Sequence, residues 1–246
     1  MPIVDSHSHL GPCRVFDLDH LEDDLVAQMN QYEVDANLVQ PFPGAPSAAA
    51  VHDRVAALAT QHPKRIFGIA SINPHQDRDA YFAELSRCVT DLGFVGVKMH
   101  TIGHAMNPGG ADGTTVFESA KQLGIPVMVH TGPGIPFAAP TSLVVQLKRF
   151  PEVPVVMAHG GYSIFAGEAI AVASMFPQVS MEISGSGLIN VRSMVNTLGA
   201  NRVMYGSDLI ANVPVMLTLV RSIGLSADDE AMVLGGTAKE IFGLDV

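Results

Sequence analysis

Residues 95–130 read VGVKMHTIGHAMNPGGADGTTVFESAKQLGIPVMVH. The stretch opens on a short apolar run, Val95–His100, and closes on another, Val127–His130. Between them Asp112 to Leu123 has helical spacing, and Gly124 follows where a helix commonly ends on a left-handed residue. Run, helix, run is one β→α→β unit, the connection that parallel strands require.

The same alternation extends outward in both directions. Further strands are expected at Pro2–His7, Ala36–Gln40, Ile66–Ser71, Val155–His159, Val179–Ile183 and Val203–Gly206. These runs are apolar on both parities, as in a parallel sheet covered on both faces. Helices are expected between them. Asp17-Leu18-Asp19 opens the first with acidic N-cap chemistry, and Ser47 opens one that ends before Pro63. Asp77 and Asp79 open a third, closed by Gly93. Thr141, Ser163 and Leu188 open the next three, Asn212–Ile223 is the eighth, and Asp228 to Leu234 adds a terminal helix. Eight such units predict an α/β chain folded as a (β/α)8 TIM barrel with an extra C-terminal helix. A barrel takes roughly 250 residues, so residues 1–246 are expected to form a single domain. The competing open doubly wound sheet would show fewer strands and a glycine-rich first turn; the first turn here reads HSHLG.

Composition narrows the function. The 246 residues are 48% hydrophobic and 15% charged, which implies a large core. Lys and Arg number 14 against 24 Asp and Glu, for a net charge of −10. That balance argues against nucleic acid and against an anionic membrane surface, since both need a basic face. No apolar run reaches bilayer length, and the start, MPIVDSHSHL, lacks the basic and apolar regions of a signal peptide. A cytoplasmic protein acting on a small molecule is expected, with assembly into a homo-oligomer left open. Cys13 and Cys88 form no metal or disulfide pattern. Cys88 reads as core packing, and Cys13 falls in a loop near the first strand.

The ionisable residues gather at one end of the expected strands. His7 and His9 close the first, Lys98 and His100 the fourth, His130 the fifth and His159 the sixth; Asp208 follows the eighth. Residues i and i+2 of a strand share a face, and barrel active sites lie at the C-terminal ends. Each residue alone has an ordinary reading. His130 or His159 could be a satisfied core histidine, Asp208 a helix cap, and Lys98 a buried stem with a surfacing amine. Those readings leave their common strand end unexplained. Imidazoles and a carboxylate converging on one mouth form an N/O site suited to Zn²⁺ or another divalent metal. His20 and His52 fall in helical patterns and are expected in solvent, and His62 as a cap. His75 and His104, in loops on the active face, are candidate substrate contacts.

In order along the chain, VDSHSHLG, GVKMH, VMVHTG, VMAHGG, YGSDLI and VLGGTAKEIFGL resemble the amidohydrolase superfamily. The nearest branch holds aminocarboxymuconate-semialdehyde decarboxylase and related hydrolases of small amides, esters and lactones. The resemblance implies His7, His9, His130 and Asp208 as ligands of one metal, with His159 as acid/base and Asp208 orienting or deprotonating a water. Binuclear members carry a carboxylated lysine at this strand. Two ions are therefore open if Lys98 is carboxylated, with His130 and His159 on the second; one ion is favoured. The motif that often reads Gly-Asn-Ala in the family is Gly-Thr-Ala at Thr237 here, and the loops are shorter than in the decarboxylases.

Two activities follow. The first is hydrolysis of a small amide, ester or lactone by a metal-activated water. The alternative is metal-dependent, non-oxidative decarboxylation of a small aromatic or dienoic acid, with Arg14 as the candidate carboxylate clamp. A non-enzymatic metal-binding barrel is the remaining reading. His100 and Ser184 are further candidate substrate contacts; Ser184 and Ser186 equally read as turn formers. The loops PFPGAPS, TIGHAMNPGGADG and GPGIPFAAP predict a small, largely apolar pocket.

Overall fold

A computed structural model describes residues 1–246. The strands are β1 Val4–Cys13, β2 Leu18–His20, β3 Ala36–Pro41, β4 Ile66–Ser71, β5 Gly96–Met99, β6 Val127–His130, β7 Val155–Ala158, β8 Val179–Glu182 and β9 Val203–Met204. They form one sheet in the order β2-β1-β3-β4-β5-β6-β7-β8-β9. All neighbouring pairs are parallel except β1 with β2. The ends of the series meet. Ser6 N donates to Tyr205 O at 3.1 Å and Asp208 N to His7 O at 2.7 Å, and Ser8 bridges Asp208 in parallel sense. β1 and β3 to β9 therefore close into the expected (β/α)8 barrel.

The helices are α1 Glu22–Gln31, α2 Ala48–Gln61, α3 Arg78–Thr90, α4 Ala111–Leu123, α5 Val144–Arg149, α6 Tyr162–Met175, α7 Leu188–Leu198, α8 Val213–Ser222, α9 Ala227–Ala231 and α10 Thr237–Phe242. Their ends follow local chemistry. The Ser47 side chain accepts from Ala50 N at the start of α2, and Asp77 accepts from Asp79 N and Ala80 N at the start of α3. Gly124 ends α4 at φ 68°, a conformation that costs glycine nothing.

Strand alternation sorts the core into two layers. Val39, Val97, Val129, Met157 and Met181 face outward and pack with residues such as Leu85, Phe117 and Val172 of the surrounding helices. Val4, Leu38, Ile69, Met128, Val156 and Met204 face inward and pack with Ala238, Phe242 and Leu244. The terminal helix expected over Asp228 to Leu234 is α9 with a π-helical turn, Met232–Gly236; the further helix α10, not expected from the sequence, plugs the floor of the barrel at the N-terminal strand ends. Thr237, where the family motif departs, donates through its hydroxyl to Ala200 O at 2.8 Å and is a packing residue of that closed end.

Several local expectations are corrected. The first strand does not end at His7. It runs on to Cys13, turns, and returns antiparallel as β2, pairing Gly11 with His20 and Cys13 with Leu18. Asp17-Leu18-Asp19 therefore lies in a hairpin, and α1 begins only at Glu22, whose acidic first turn suits a helix N-terminus. Cys13 is buried in β1 rather than placed in a loop. His20 and His52 are buried rather than solvated. His20 donates through Nδ1 to His9 O at 3.2 Å. His52 donates through Nδ1 to Glu84 Oε1 at 2.8 Å and accepts from Ser71 N at 3.0 Å through Nε2. Pairing partners distant in the chain, not the local pattern, decide both positions.

Candidate active site

The inward positions at the C-terminal strand ends are polar. Along β6, Met128 belongs to the apolar interior, and His130, two residues on, lies at the mouth. His7 and His9 come from β1; its register shifts between Asp5 and Ser8, where His7 sits, and His9 pairs regularly with Gln40 just beyond. His159 begins the turn after β7, and Asp208 follows β9. Both take left-handed backbone, each at φ 66°. That geometry costs a non-glycine residue about 1–3 kcal/mol and persists where surrounding structure fixes a functional group.

His7, His9 and Asp208 offer ligand atoms that all lie within 4.8 Å of one another. His9 Nε2 is 3.2 Å and His7 Nε2 3.4 Å from Asp208 Oδ1. The other nitrogen of each ring is committed. His9 Nδ1 donates to Pro41 O at 3.2 Å, and His7 Nδ1 to Glu182 Oε2 at 2.7 Å. Carbonyl and carboxylate oxygens only accept, so in neutral rings both Nε2 atoms present lone pairs toward the Asp208 carboxylate. Lone pairs gathered this way call for a cation between them. His130 adds to the case, since both its ring nitrogens are buried without a hydrogen-bond partner, an expensive state for a polar side chain. It stacks on His100 at 4.5 Å between centroids and meets His159 edge-on at 4.6 Å. It is not a member of the tight His7–His9–Asp208 trio.

Burial keeps His7, His100, His130 and His159 neutral. His7 and His100 are held well below the usual histidine range, by burial first and then by neighbouring Lys98 for His7 and His130 for His100. Burial lowers His159 to about 4 and the Lys98 ammonium to about 8. Lys98 Nζ donates to His7 Nε2 at 3.0 Å. Burial works to raise Asp208, but the close approach of His9 and the neighbouring His7 and His159 outweighs it and holds the carboxyl well below the usual carboxylate range.

Above this floor opens a cavity of about 410 Å³. His9, His100, His130, His159 and Asp208 line it, with Phe16, Leu18, Phe42, Pro43, Ile102, Pro133, Tyr162 and Leu209 as its other walls. Phe42 stacks on His9 at 4.4 Å, and Tyr162 on His159 at 4.5 Å. Tyr162 has φ 51° and ψ −163°, a region that glycine alone occupies freely. A Cβ on Gly132 or Gly185 would fall within 2.5 Å of its ring.

Other candidates fall outside the cavity. Arg14 is exposed on the hairpin and does not line it. Ser184 is buried behind His159, its Oγ 2.9 Å from His159 Nδ1. Ser186 Oγ donates to His159 O at 2.7 Å. His75 ties loops together, donating through Nε2 to His104 O at 2.8 Å and lying 2.7 Å from Asp112 Oδ2 through Nδ1. Two buried acids were not anticipated. Glu182 meets both His7 and His159. Asp5, pushed up to about 7 by burial, accepts from His7 N at 3.2 Å and Ser207 N at 2.9 Å through Oδ1. A charged residue inside an apolar strand marks Glu182 in VSMEI just as it marks Lys98 in GVKMH.

A closed (β/α)8 barrel with histidines and an aspartate at its C-terminal mouth is the plan of metal-dependent barrel enzymes. Residues 4–244 match the amidohydrolase family, and the chain belongs to it. It is 25% identical over 239 aligned positions to 2-amino-3-carboxymuconate-6-semialdehyde decarboxylase of Dictyostelium discoideum, covering 79% of this chain and 66% of that one. The chain spans about two thirds of the length of the curated relatives it matches, 66% and 67%. Among solved structures, a dihydroxybenzoic acid decarboxylase from Polaromonas sp. JS666, with bound manganese and 2-nitroresorcinol, superposes with a TM-score of 0.79. Its identity is 16%, over 100% of this chain and 98% of that one. A probable 2-pyrone-4,6-dicarboxylic acid hydrolase from Acinetobacter baumannii, with citric acid bound, gives 0.74 at 16% identity over 99% and 100%.

Proposed function

We propose that the chain is a metal-dependent, non-oxidative decarboxylase of a small, flat carboxylic acid, aromatic or dienoic. The observation that carries this reading is the cavity: a floor of histidines and Asp208 under apolar walls, with no lysine or arginine among its lining residues. Decarboxylation converts a localised carboxylate charge into neutral CO₂ and an electron pair spread over the remaining π-system. Apolar walls penalise the first more than the second. The sequence put hydrolysis first. The decarboxylase relatives support the alternative, and so do walls that offer little to hold a second water or a polar leaving group.

His7, His9, His130 and Asp208 would hold one divalent cation, zinc or manganese. Bound there, it would supply a Lewis acid that polarises the substrate's oxygens. Lys98 would stay an unmodified amine, and its contact with His7 Nε2 would give way to the cation. Breaking the C–C bond leaves a pair of electrons on carbon, and that carbon must take up a proton as CO₂ departs. His159 and Asp208 are the proton carriers in reach of the cavity. Neutral His159, with Nδ1 pinned to Ser184, has Nε2 to take a proton and return it to carbon. Phe42 and Tyr162, each stacked on a site histidine, would confine a planar substrate. Arg14 has no place as a clamp.

The test is a paired panel on protein with its metal content measured. One arm follows CO₂ release from hydroxybenzoic and unsaturated dicarboxylic acids, the other hydrolysis of esters, lactones and amides. CO₂ release that is lost on chelation and restored by Mn²⁺ or Zn²⁺ supports the reading. Hydrolysis without CO₂ release, or turnover indifferent to chelation, rejects it.

A further inference from the structure

We propose that Glu182 and Ser184 form a positioning pair that links His7 to His159 and fixes which ring nitrogen each presents. The proposal rests on the reading of His7 as a ligand and His159 as the proton carrier.

Glu182 is fully buried at the end of β8, with donors on every side. Its Oε2 accepts from His7 Nδ1 at 2.7 Å, Ser184 Oγ at 2.8 Å and His159 N at 3.2 Å, and its Oε1 accepts from Ser184 N. His159 Nδ1 lies 3.2 Å from Ser184 O and 2.9 Å from Ser184 Oγ.

The inventory of protons fixes every direction in this chain. Ser184 O is a carbonyl and can only accept, so His159 Nδ1 carries its hydrogen. The single Ser184 hydroxyl proton goes to Glu182, so Ser184 Oγ accepts from His159. Glu182, as a carboxylate, accepts from His7 Nδ1. The result is a continuous relay from the His159 ring through Ser184 and Glu182 to the His7 ring. Both imidazoles are left with Nε2 unprotonated, as a ligand and a proton acceptor require. β1, β8 and the turn after β7 meet at this one carboxylate. The space for it is cleared just past the last strand, since a Cβ on Gly206 would lie 2.5 Å from Glu182 Oε1 and 2.9 Å from His7 Cβ. A salt bridge serving only stability would not need a hydroxyl set between the carboxylate and a second ring.

The test reads tautomers directly. Histidine-ring ¹⁵N NMR on the metal-free, full-length protein, assigned by single His→Gln variants, should show His7 and His159 both protonated at Nδ1. Ser184→Ala keeps the backbone acceptor Ser184 O, so His159 should stay protonated at Nδ1, while loss of the hydroxyl link should shift the His159 Nδ1–H resonance, leave that of His7 in place, and lower kcat with KM little changed. Glu182→Gln should disturb both rings and weaken Zn²⁺ binding, in competition with a fluorescent chelator, by about 10- to 100-fold. The proposal is overturned if Ser184→Ala leaves the His159 Nδ1–H resonance unmoved, or if Glu182→Gln leaves Zn²⁺ affinity within twofold. Should thermal melting show Glu182→Gln unfolded, the Ser184→Ala spectrum decides alone. The NMR and affinity measurements stand even if no CO₂ is released from any acid, so failure of the relay and failure of the decarboxylase reading are told apart.

Discussion

At the floor of the barrel, Val4, Ile69, Met128 and Met204 pack against Phe242 and Leu244. At its mouth, β6 carries His130 two residues beyond Met128, and β1, β5 and β8 bring in His7, Lys98 and Glu182. Both ends are buried and belong to the same strands, yet opposite forces settle them. The floor is satisfied by apolar contact alone, and nothing on it asks for a partner. The mouth buries lone pairs that face one another, and His130 keeps two ring nitrogens unpaired. Stability and chemistry are thus separated along the barrel axis, which makes the two ends separately breakable.

The largest effect is expected at the mouth. Asp208→Asn removes the carboxylate shared by the Nε2 atoms of His7 and His9 and should lower kcat/KM on the order of 10²–10⁴-fold, with the melting temperature of the metal-free protein held or raised. Steady-state kinetics beside a thermal melt would show it, and near-normal turnover would place the chemistry elsewhere. Next comes the floor. Phe242→Ala should cost about 3–5 kcal/mol of stability through the cavity it leaves. Metal affinity of the folded fraction should be unaltered, as denaturant unfolding and a metal titration would show. If affinity fell in step, the two ends would not be independent.

Acid should sharpen the contrast, because most buried histidines lie at the mouth. His104 and His159 have native values of about 4 against an ordinary 6.5. The unfolded chain therefore binds more protons than the native one between those values, and stability falls as pH drops through that window. Asp5, at about 7 against 3.8, acts with the opposite sign and gains stability as pH falls. His7, His100 and His130 are lowered too and act with His104 and His159, while Glu182 is raised and acts with Asp5; the histidines outnumber the acids and leave a net loss. Urea unfolding of the metal-free protein at pH 7 and pH 4.5 measures it, and equal stability at both would show the histidines are not held neutral. The smallest effect is expected at Arg14. It is exposed and off the cavity, so Arg14→Ala should change kcat/KM by no more than about twofold; a tenfold rise in KM for acids would restore the clamp.

The sequence made the barrel legible because each strand and helix carries its own periodicity and its own stop signal. Asp77 and Gly124 cap the helices they were expected to cap. Legibility failed where distant pairing overrides local pattern. Residues 17–19 read as a helix start, but β1 offers them an antiparallel partner. His52 looked like any histidine on a helix until β4 supplied Ser71 N. At the site, the strand-end rule found the histidines, Lys98 and Asp208, and the structure brings His7, His9 and Asp208 together. It could not tell that Arg14 turns outward, that Ser184 sits behind His159, or that Glu182 reaches two rings. Those facts depend on contacts between residues more than twenty positions apart.

The seam where the barrel closes carries one more consequence. Ser6 Oγ donates to Tyr205 O at 2.6 Å, a contact spanning 199 residues. Loop closure over such a distance is slow to be rewarded during folding. Until it forms, β1 and β9 both expose unpaired edges that can recruit other chains. His7 and Asp208 lie on the two sides of that seam, so the cation pocket comes into being only when the ring shuts. A metal held there would act as a clasp on the folding reaction itself. It would draw nearly finished barrels to completion by mass action.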